Sequence, residues 1–224
     1  MTAALRIAAA PPLQVRWLGR RPYGEVLALQ ESLLAAAIDG APETLLLLEH
    51  EAVYTLGRGA DAADLRGAPE RLGVPWFRVG RGGGATFHGP GQLVAYPIVR
   101  LRAAGRDVHS YVRTLEQAVI ATCAAYGVTA AARTGETGVW VGTRKIASIG
   151  IGVRRGVAWH GVALNVGTDL SFFDAITVCR STGLRLVDLA ELCAPVPSVE
   201  VVGATFARAL AARLGRDARE DSWR

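Results

Sequence analysis

The chain has 224 residues, half of them apolar, a net charge of +5 and a pI near 9.6. That length can bury a substantial core in one domain, and no run approaches the ~20 apolar residues of a membrane-spanning helix. The arginines are dispersed rather than interleaved with aromatics, which argues against nucleic-acid binding and leaves an acidic carrier protein, or nothing specific, as the partner the charge favours.

Leu13 to Leu18 reads as a strand, and Tyr23 to Ile38 as a helix with Val26, Leu29, Leu33 and Ala37 on one face. Thr44 to His50, Val74 to Val79 and Leu93 to Val99 read as further strands. Val108 to Tyr126 is the strongest helix, with an apolar stripe at Val108, Tyr111, Val112, Leu115 and Val119 and an ending at Gly127. Gly138 to Val141, Ile146 to Val153 and Val157 to Val166 follow as β-branched runs. Arg154, Arg155 and Gly156 between the last two signal a hairpin. Ser198 caps a final packing helix that runs to Leu214. Hairpins with interspersed helices imply an α/β or α+β fold, a mixed β-sheet flanked by helices in a single domain over residues 1–224.

Three features carry chemistry. Lys145 is the only lysine, against 24 arginines. Arginine supplies charge but does not release its proton, whereas a lysine can titrate, so a single retained lysine marks a candidate proton-transfer group. The second is Arg81-Gly82-Gly83-Gly84-Ala85-Thr86-Phe87-His88-Gly89-Pro90-Gly91-Gln92, twelve residues with five glycines. It reads as a binding loop whose glycines allow close backbone approach. It is not a Walker loop, since no lysine follows the glycines, nor a dinucleotide fingerprint, since a strand follows.

Cysteine 179 is the third. The cysteines Cys123, Cys179 and Cys193 are 56 and 14 residues apart, without disulfide or zinc spacing. Cys123 lies within an apolar helix and Cys193 at an expected helix end, so Cys179, alone in polar irregular sequence, reads either as an ordinary loop cysteine or as a nucleophile whose pKa Arg180 and a folded-in Lys145 would lower. Histidines 50, 88, 109 and 160 show no metal-ligand spacing, so no structural metal is expected. Four arginines precede the first acid, Glu25, but Pro11, Pro12 and the lack of serine argue against a transit peptide. A reducing, cytoplasmic setting is expected.

Together these segments resemble the lipoyl(octanoyl) transferase family. The resemblance is carried by Arg81 to Gln92, by Gly138-Val139-Trp140-Val141-Gly142 running into Arg144-Lys145-Ile146-Ala147-Ser148-Ile149-Gly150, and by His160-Gly161-Val162-Ala163-Leu164-Asn165-Val166. It is colinear across most of the chain, with the catalytic domain at about residues 14–215. It implies the fold of biotin and lipoate ligases, and an acyltransferase that moves octanoyl from acyl carrier protein to lipoyl domains. The implied acceptors are the apo lipoyl domains of oxoacid dehydrogenase complexes and the glycine-cleavage H protein. Cys179 matches the acyl-thioester nucleophile and Lys145 its acid/base partner. The substrate-contacting stretches match Arg81, Gly82, Gly83, Gly84, Ala85, Thr86, Phe87 and His88, then Ser148, Ile149 and Gly150, then Gly161, Val162 and Ala163.

No cofactor is implied, and a monomer is expected. The chain departs from the family's usual Pro-Cys-Gly at Val178-Cys179-Arg180, which replaces one rigid and one permissive residue with a β-branched and a charged one. The alternatives are an ATP-dependent lipoate or biotin ligase on the same fold, which needs no cysteine, and a non-catalytic homologue that binds the acyl carrier.

Overall fold

Alternation along two strands explains the layers. A computed structural model describes residues 11–101, 107–177 and 185–220. In β2 (Thr44–His50), Leu45 and Leu47 enter one core, while Leu46 and Leu48 enter another on the opposite face. In β6 (Gln92–Arg100), Leu93, Ala95 and Val99 join the first core and Val94, Tyr96 and Ile98 the second. Successive side chains of a strand point to opposite faces, so a continuous apolar run marks a sheet covered on both sides.

These strands lie at the centre of a mixed eight-stranded sheet. Its edge on one side runs from β2 through β1 (Leu13–Arg21) to the short β11 (Ala218–Glu220), all parallel. On the other side β6 pairs antiparallel with β10 (Val157–Asn165), followed by β9 (Arg144–Arg154), β8 (Glu136–Val141) and β7 (Ala131–Arg133). Arg155 and Gly156, both with positive φ at 49° and 81°, close the β9–β10 hairpin expected from the sequence. A second sheet holds β3 (Val53–Leu56) between β4 (Trp76–Arg78) and β5 (Ala85–His88). Its core includes Phe87, Leu65 and Phe173.

One sheet face is covered by α3 (Val108–Ala124) and α5 (Val199–Leu214), which pack on each other, and the other by α1 (Tyr23–Ile38). Short helices α2 (Ala68–Leu72) and α4 (Ser171–Asp174) lie outside these layers. The expected caps are present: Ser198 Oγ accepts the Val201 N–H at 3.3 Å, and Gly127 takes φ of 75° after α3. No helix among the described residues is long and apolar enough to cross a membrane.

Several expectations are corrected. The strand at Val74 to Val79 is only Trp76–Arg78, and strands β3, β5, β7 and β11 add to those expected. The middle of the glycine-rich stretch, Ala85–His88, is strand β5 rather than open loop. Cys193 follows a turn, not a helix, in which Asp188 Oδ1 accepts the Glu191 N–H at 3.0 Å. Helices α1 and α3 match their expected stripes only in part, with Val26 and Ala37 of α1 and Tyr111, Leu115 and Val119 of α3 buried as expected. α1 buries Tyr23, Val26, Gln30, Leu34 and Ala37, and α3 buries Glu116 while Val108 is exposed. Each difference buries a polar side chain, Gln30 or Glu116, and both have a reason in the site.

Candidate active site

Glycines let the second sheet's loop lie flat across β9. A Cβ at Gly150 would come within 2.9 Å of the Gly82 carbonyl oxygen and 3.1 Å of Arg81 Cδ, and one at Gly152 would strike the Trp159 indole. The Gly82 N–H donates to the Ile151 carbonyl at 2.8 Å, fastening loop to sheet. Beneath this roof is a cavity of about 150 Å³.

Arg81 organises the loop. It is buried, and its guanidinium donates to the carbonyls of Gly82 and Gly84 at 3.0 Å, and to both the carbonyl and hydroxyl of Thr55 at 2.8 Å. Those carbonyls would otherwise lose water without a partner, at a cost of about 1–3 kcal/mol each. Gly83, Gly84, Ala85, Thr86 and His88 line the cavity beside it. Gly82 and Phe87 do not. Alternation along β5 sends Phe87 to the opposite face, where it stacks on Phe172 at a centroid distance of 4.6 Å.

The floor comes from the β9–β10 hairpin, where Ser148 pairs with Ala163, Ile149 with Val162, and Gly150 with Gly161. All six line the cavity. Lys145, earlier on β9, is 4% exposed and also lines it. Its Nζ donates to the Thr137 carbonyl at 3.0 Å and lies 5.0 Å from the centre of the Trp140 ring. Gly138 makes this placement possible: it has φ of 138°, and a Cβ there would stand 2.5 Å from Lys145 Cε. Cys179 lies outside the described residues. Its flanks end at Thr177, whose N–H donates to the Asp64 carbonyl at 2.7 Å, and at Arg185, whose carbonyl accepts the Lys145 N–H at 2.8 Å. Val187 returns its N–H to the Lys145 carbonyl at 3.1 Å.

Tyr23, Tyr96, Thr137 and His160, not anticipated as site residues, also line the cavity, with His50 packed beside them. Histidines 50, 88 and 160, scattered along the chain, converge with Tyr23 and Tyr96. His50 Nδ1 faces the Arg21 carbonyl at 3.1 Å and must donate, so Nε2 accepts from the Tyr96 hydroxyl at 2.9 Å. Burial lowers the His50 pKa to about 4 and that of His160 to about 3, the latter also under the Arg81 charge. His88 is pushed well below 6.5 by burial and by neighbouring His50 and Arg81. Burial raises Tyr23 to about 12 and Tyr96 well above 10. This wall is therefore neutral at physiological pH, suited to an apolar chain.

His160 is unusual. It has φ of 57°, is 1% exposed, and neither ring nitrogen has a hydrogen-bond partner among the described residues. Its ring stacks on Trp159, and its N–H donates to Gln30 Oε1 at 3.2 Å, the reason α1 turns a glutamine inward. Opposite it, the β10–β6 ladder is interrupted around Pro97, which has no N–H to give. Thr86 Oγ1 is likewise buried without a partner. Gln92 and Asn165 form a second unanticipated link: His88 Nδ1 contacts Gln92 Oε1 at 2.8 Å, Gln92 Nε2 donates to Asn165 Oδ1 at 3.0 Å, and Asn165 Nδ2 donates to the Val187 carbonyl at 3.2 Å. This chain ties the glycine-rich segment to Val187, whose N–H donates to the Lys145 carbonyl.

Comparison with known proteins agrees with this arrangement. Residues 22–211 match the lipoyl protein ligase A/B catalytic domain. An octanoyltransferase of Geobacter metallireducens is 45% identical over 194 residues, covering 84% of this chain and 88% of its own. Those of Rubrobacter xylanophilus and Chromohalobacter salexigens are 51% and 41% identical, covering 80% and 92% of this chain and 82% and 92% of theirs. Among solved structures, a lipoate-protein ligase A bound with ATP superposes with a TM-score of 0.78 at 22% identity, over 94% of this chain and 88% of the other. An Aquifex aeolicus biotin protein ligase gives 0.55 at 13%, over 90% and 70%. These two likenesses speak for the fold. The chain belongs to the lipoyl protein ligase A/B catalytic-domain family and, within it, to the octanoyltransferases, acyltransferases of lipoate biosynthesis.

Proposed function

We propose that this octanoyltransferase takes its acyl group from octanoyl-acyl carrier protein and passes it, through a thioester on Cys179, to a lysine amine of apo lipoyl domains. The observation that carries the reading is the buried Lys145 amine at the cavity, on a strand whose backbone pairs with the residues that follow Cys179. A neutral Lys145 amine takes the Cys179 proton, and the thiolate attacks the thioester carbonyl. The tetrahedral intermediate collapses, the carrier's sulfur departs with the proton returned by Lys145, and octanoyl remains on Cys179. The target lysine's amine then attacks this second thioester; amide formation expels the Cys179 sulfur, which regains a proton. The first exchange is nearly isoenergetic and the second downhill, so no ATP is consumed.

The wall of neutral histidines and protonated tyrosines supports an uncharged acyl ligand, and Ile149, Gly150, Gly161 and Val162 supply a narrow, largely apolar floor. The net charge of +5 supports docking of an acidic carrier. The acceptors would be the lipoyl domains of oxoacid dehydrogenases and the glycine-cleavage H protein, served by a monomeric, cytoplasmic, single-domain enzyme. Incubation with octanoyl-acyl carrier protein without ATP is expected to raise the intact mass by one octanoyl group, removable by hydroxylamine and lost in Cys179→Ser. An unmodified wild-type chain, or transfer that requires ATP and free octanoate, would overturn the proposal.

A further inference from the structure

We propose that Glu116 on α3 is a positioning residue for Lys145, acting through the one peptide group that joins Thr137 to Gly138. The inference rests on the reading of Lys145 as the proton-transfer group. Glu116 is 1% exposed on a helix that otherwise buries apolar and small side chains. Its Oε1 accepts the Gly138 N–H at 3.1 Å, while the Thr137 carbonyl at the other end of that peptide accepts Lys145 Nζ at 3.0 Å. A peptide group is planar, with N–H and C=O pointing in opposite directions, so carboxylate and amine lie at the two ends of one dipole. Bonds in such a chain polarise each other in a low-dielectric interior. Glu116 Oε2 is held in turn by Arg113 Nη1 at 2.6 Å, whose side chain is half exposed.

Burying a carboxylate is costly, and a small apolar residue would fill the same place on α3 at no such cost. What the carboxylate adds is a fixed peptide plane at the point where Gly138 lets the lysine pass. The other charged groups around Lys145 have partners elsewhere. Arg133 on β7 lies 5.1 Å from the Trp140 ring and pairs with Glu136 at 3.8 Å, and Arg144 pairs with Glu191 at 2.5 Å. In the segment beside Lys145, Arg185 gives it only a backbone carbonyl, and Asp188 turns its carboxylate to the Glu191 N–H at 3.0 Å.

The test uses Glu116→Gln, which keeps size and an oxygen for the Gly138 N–H but removes the charge. Because the chain has one lysine, acetylation by a small amine reagent followed by peptide mapping reads Lys145 alone. At fixed pH, Lys145 in E116Q is expected to react about tenfold faster, the size of effect that turning one charge-assisted hydrogen bond into a neutral one produces. The acidic limb of the kcat profile should move to lower pH and kcat should fall, with KM for octanoyl-acyl carrier protein unchanged. A lower melting temperature with an unchanged labelling rate and an unmoved limb would make Glu116 merely structural and overturn the proposal. Arg113→Gln, which leaves the peptide bridge in place, should label within about twofold of the parent, well short of that effect. An equal change in that variant would also overturn it. Labelling needs no turnover, so a failure of the Lys145 reading would appear separately, as full activity in Lys145→Arg.

Discussion

Lys145 and Gly138 are coupled by space. With φ of 138° and Lys145 Cε 2.5 Å from any added Cβ, position 138 admits only glycine without displacing the lysine. Gly138→Ala is expected to fold with a loss of about 1–3 kcal/mol from backbone strain, and to lose most transfer activity. Lys145→Arg is expected to keep the fold and lose most turnover at neutral pH, since it retains charge without a releasable proton. Thermal melts beside steady-state rates separate the two effects. Full activity in either variant would contradict a proton-transfer role. The lysine is legible from its rarity alone; its glycine is legible only as one of 26, because nothing local in the sequence shows that a side chain from the next strand must pass there.

At the scale of elements, alternation and capping make the long elements readable: β2, β6, the β9–β10 hairpin, and α5 with its Ser198 cap. What escapes are the short strands β3 and β5 and the true faces of α1 and α3. Strand β5 follows three glycines, and its pairing depends on β3, about thirty residues earlier, so no local signal marks it. Gln30 and Glu116 break their helices' apolar periodicity because each serves a distant backbone N–H, that of His160 or that of Gly138. A polar residue inside a helical stripe is visible in the sequence, but without the fold it is indistinguishable from a surface position. The glycine-rich loop is recognisable as a binding segment by composition, while the role of Arg81 as the scaffold of its carbonyls requires the fold.

The whole molecule carries a pH signature from the buried histidines in and beside the cavity wall. His50, His88 and His160 are neutral when folded, with pKa lowered to about 4, well below 6.5, and to about 3, respectively, mainly by burial. The unfolded chain binds protons on these groups near pH 6.5, so their contribution is fully present above that pH and is lost as pH falls toward the folded values. Each can remove up to about 1.4 kcal/mol of stability per pH unit in that window. Urea midpoints are therefore expected to fall clearly between pH 7.5 and pH 5, and equal midpoints would contradict a wall of neutral buried histidines.

Under the proposed function, the enzyme parks an acyl chain on Cys179 before passing it on. The direct measurement is a chase. Enzyme acylated from octanoyl-acyl carrier protein, then freed of carrier and nucleotide, is mixed with an apo lipoyl domain and followed by intact mass. Loss of one octanoyl group from the enzyme should match its gain by the domain, at a rate no slower than overall turnover, and neither should occur with Cys179→Ser. An acyl-enzyme that retains its octanoyl group while carrier-borne octanoyl is still transferred would contradict a thioester intermediate.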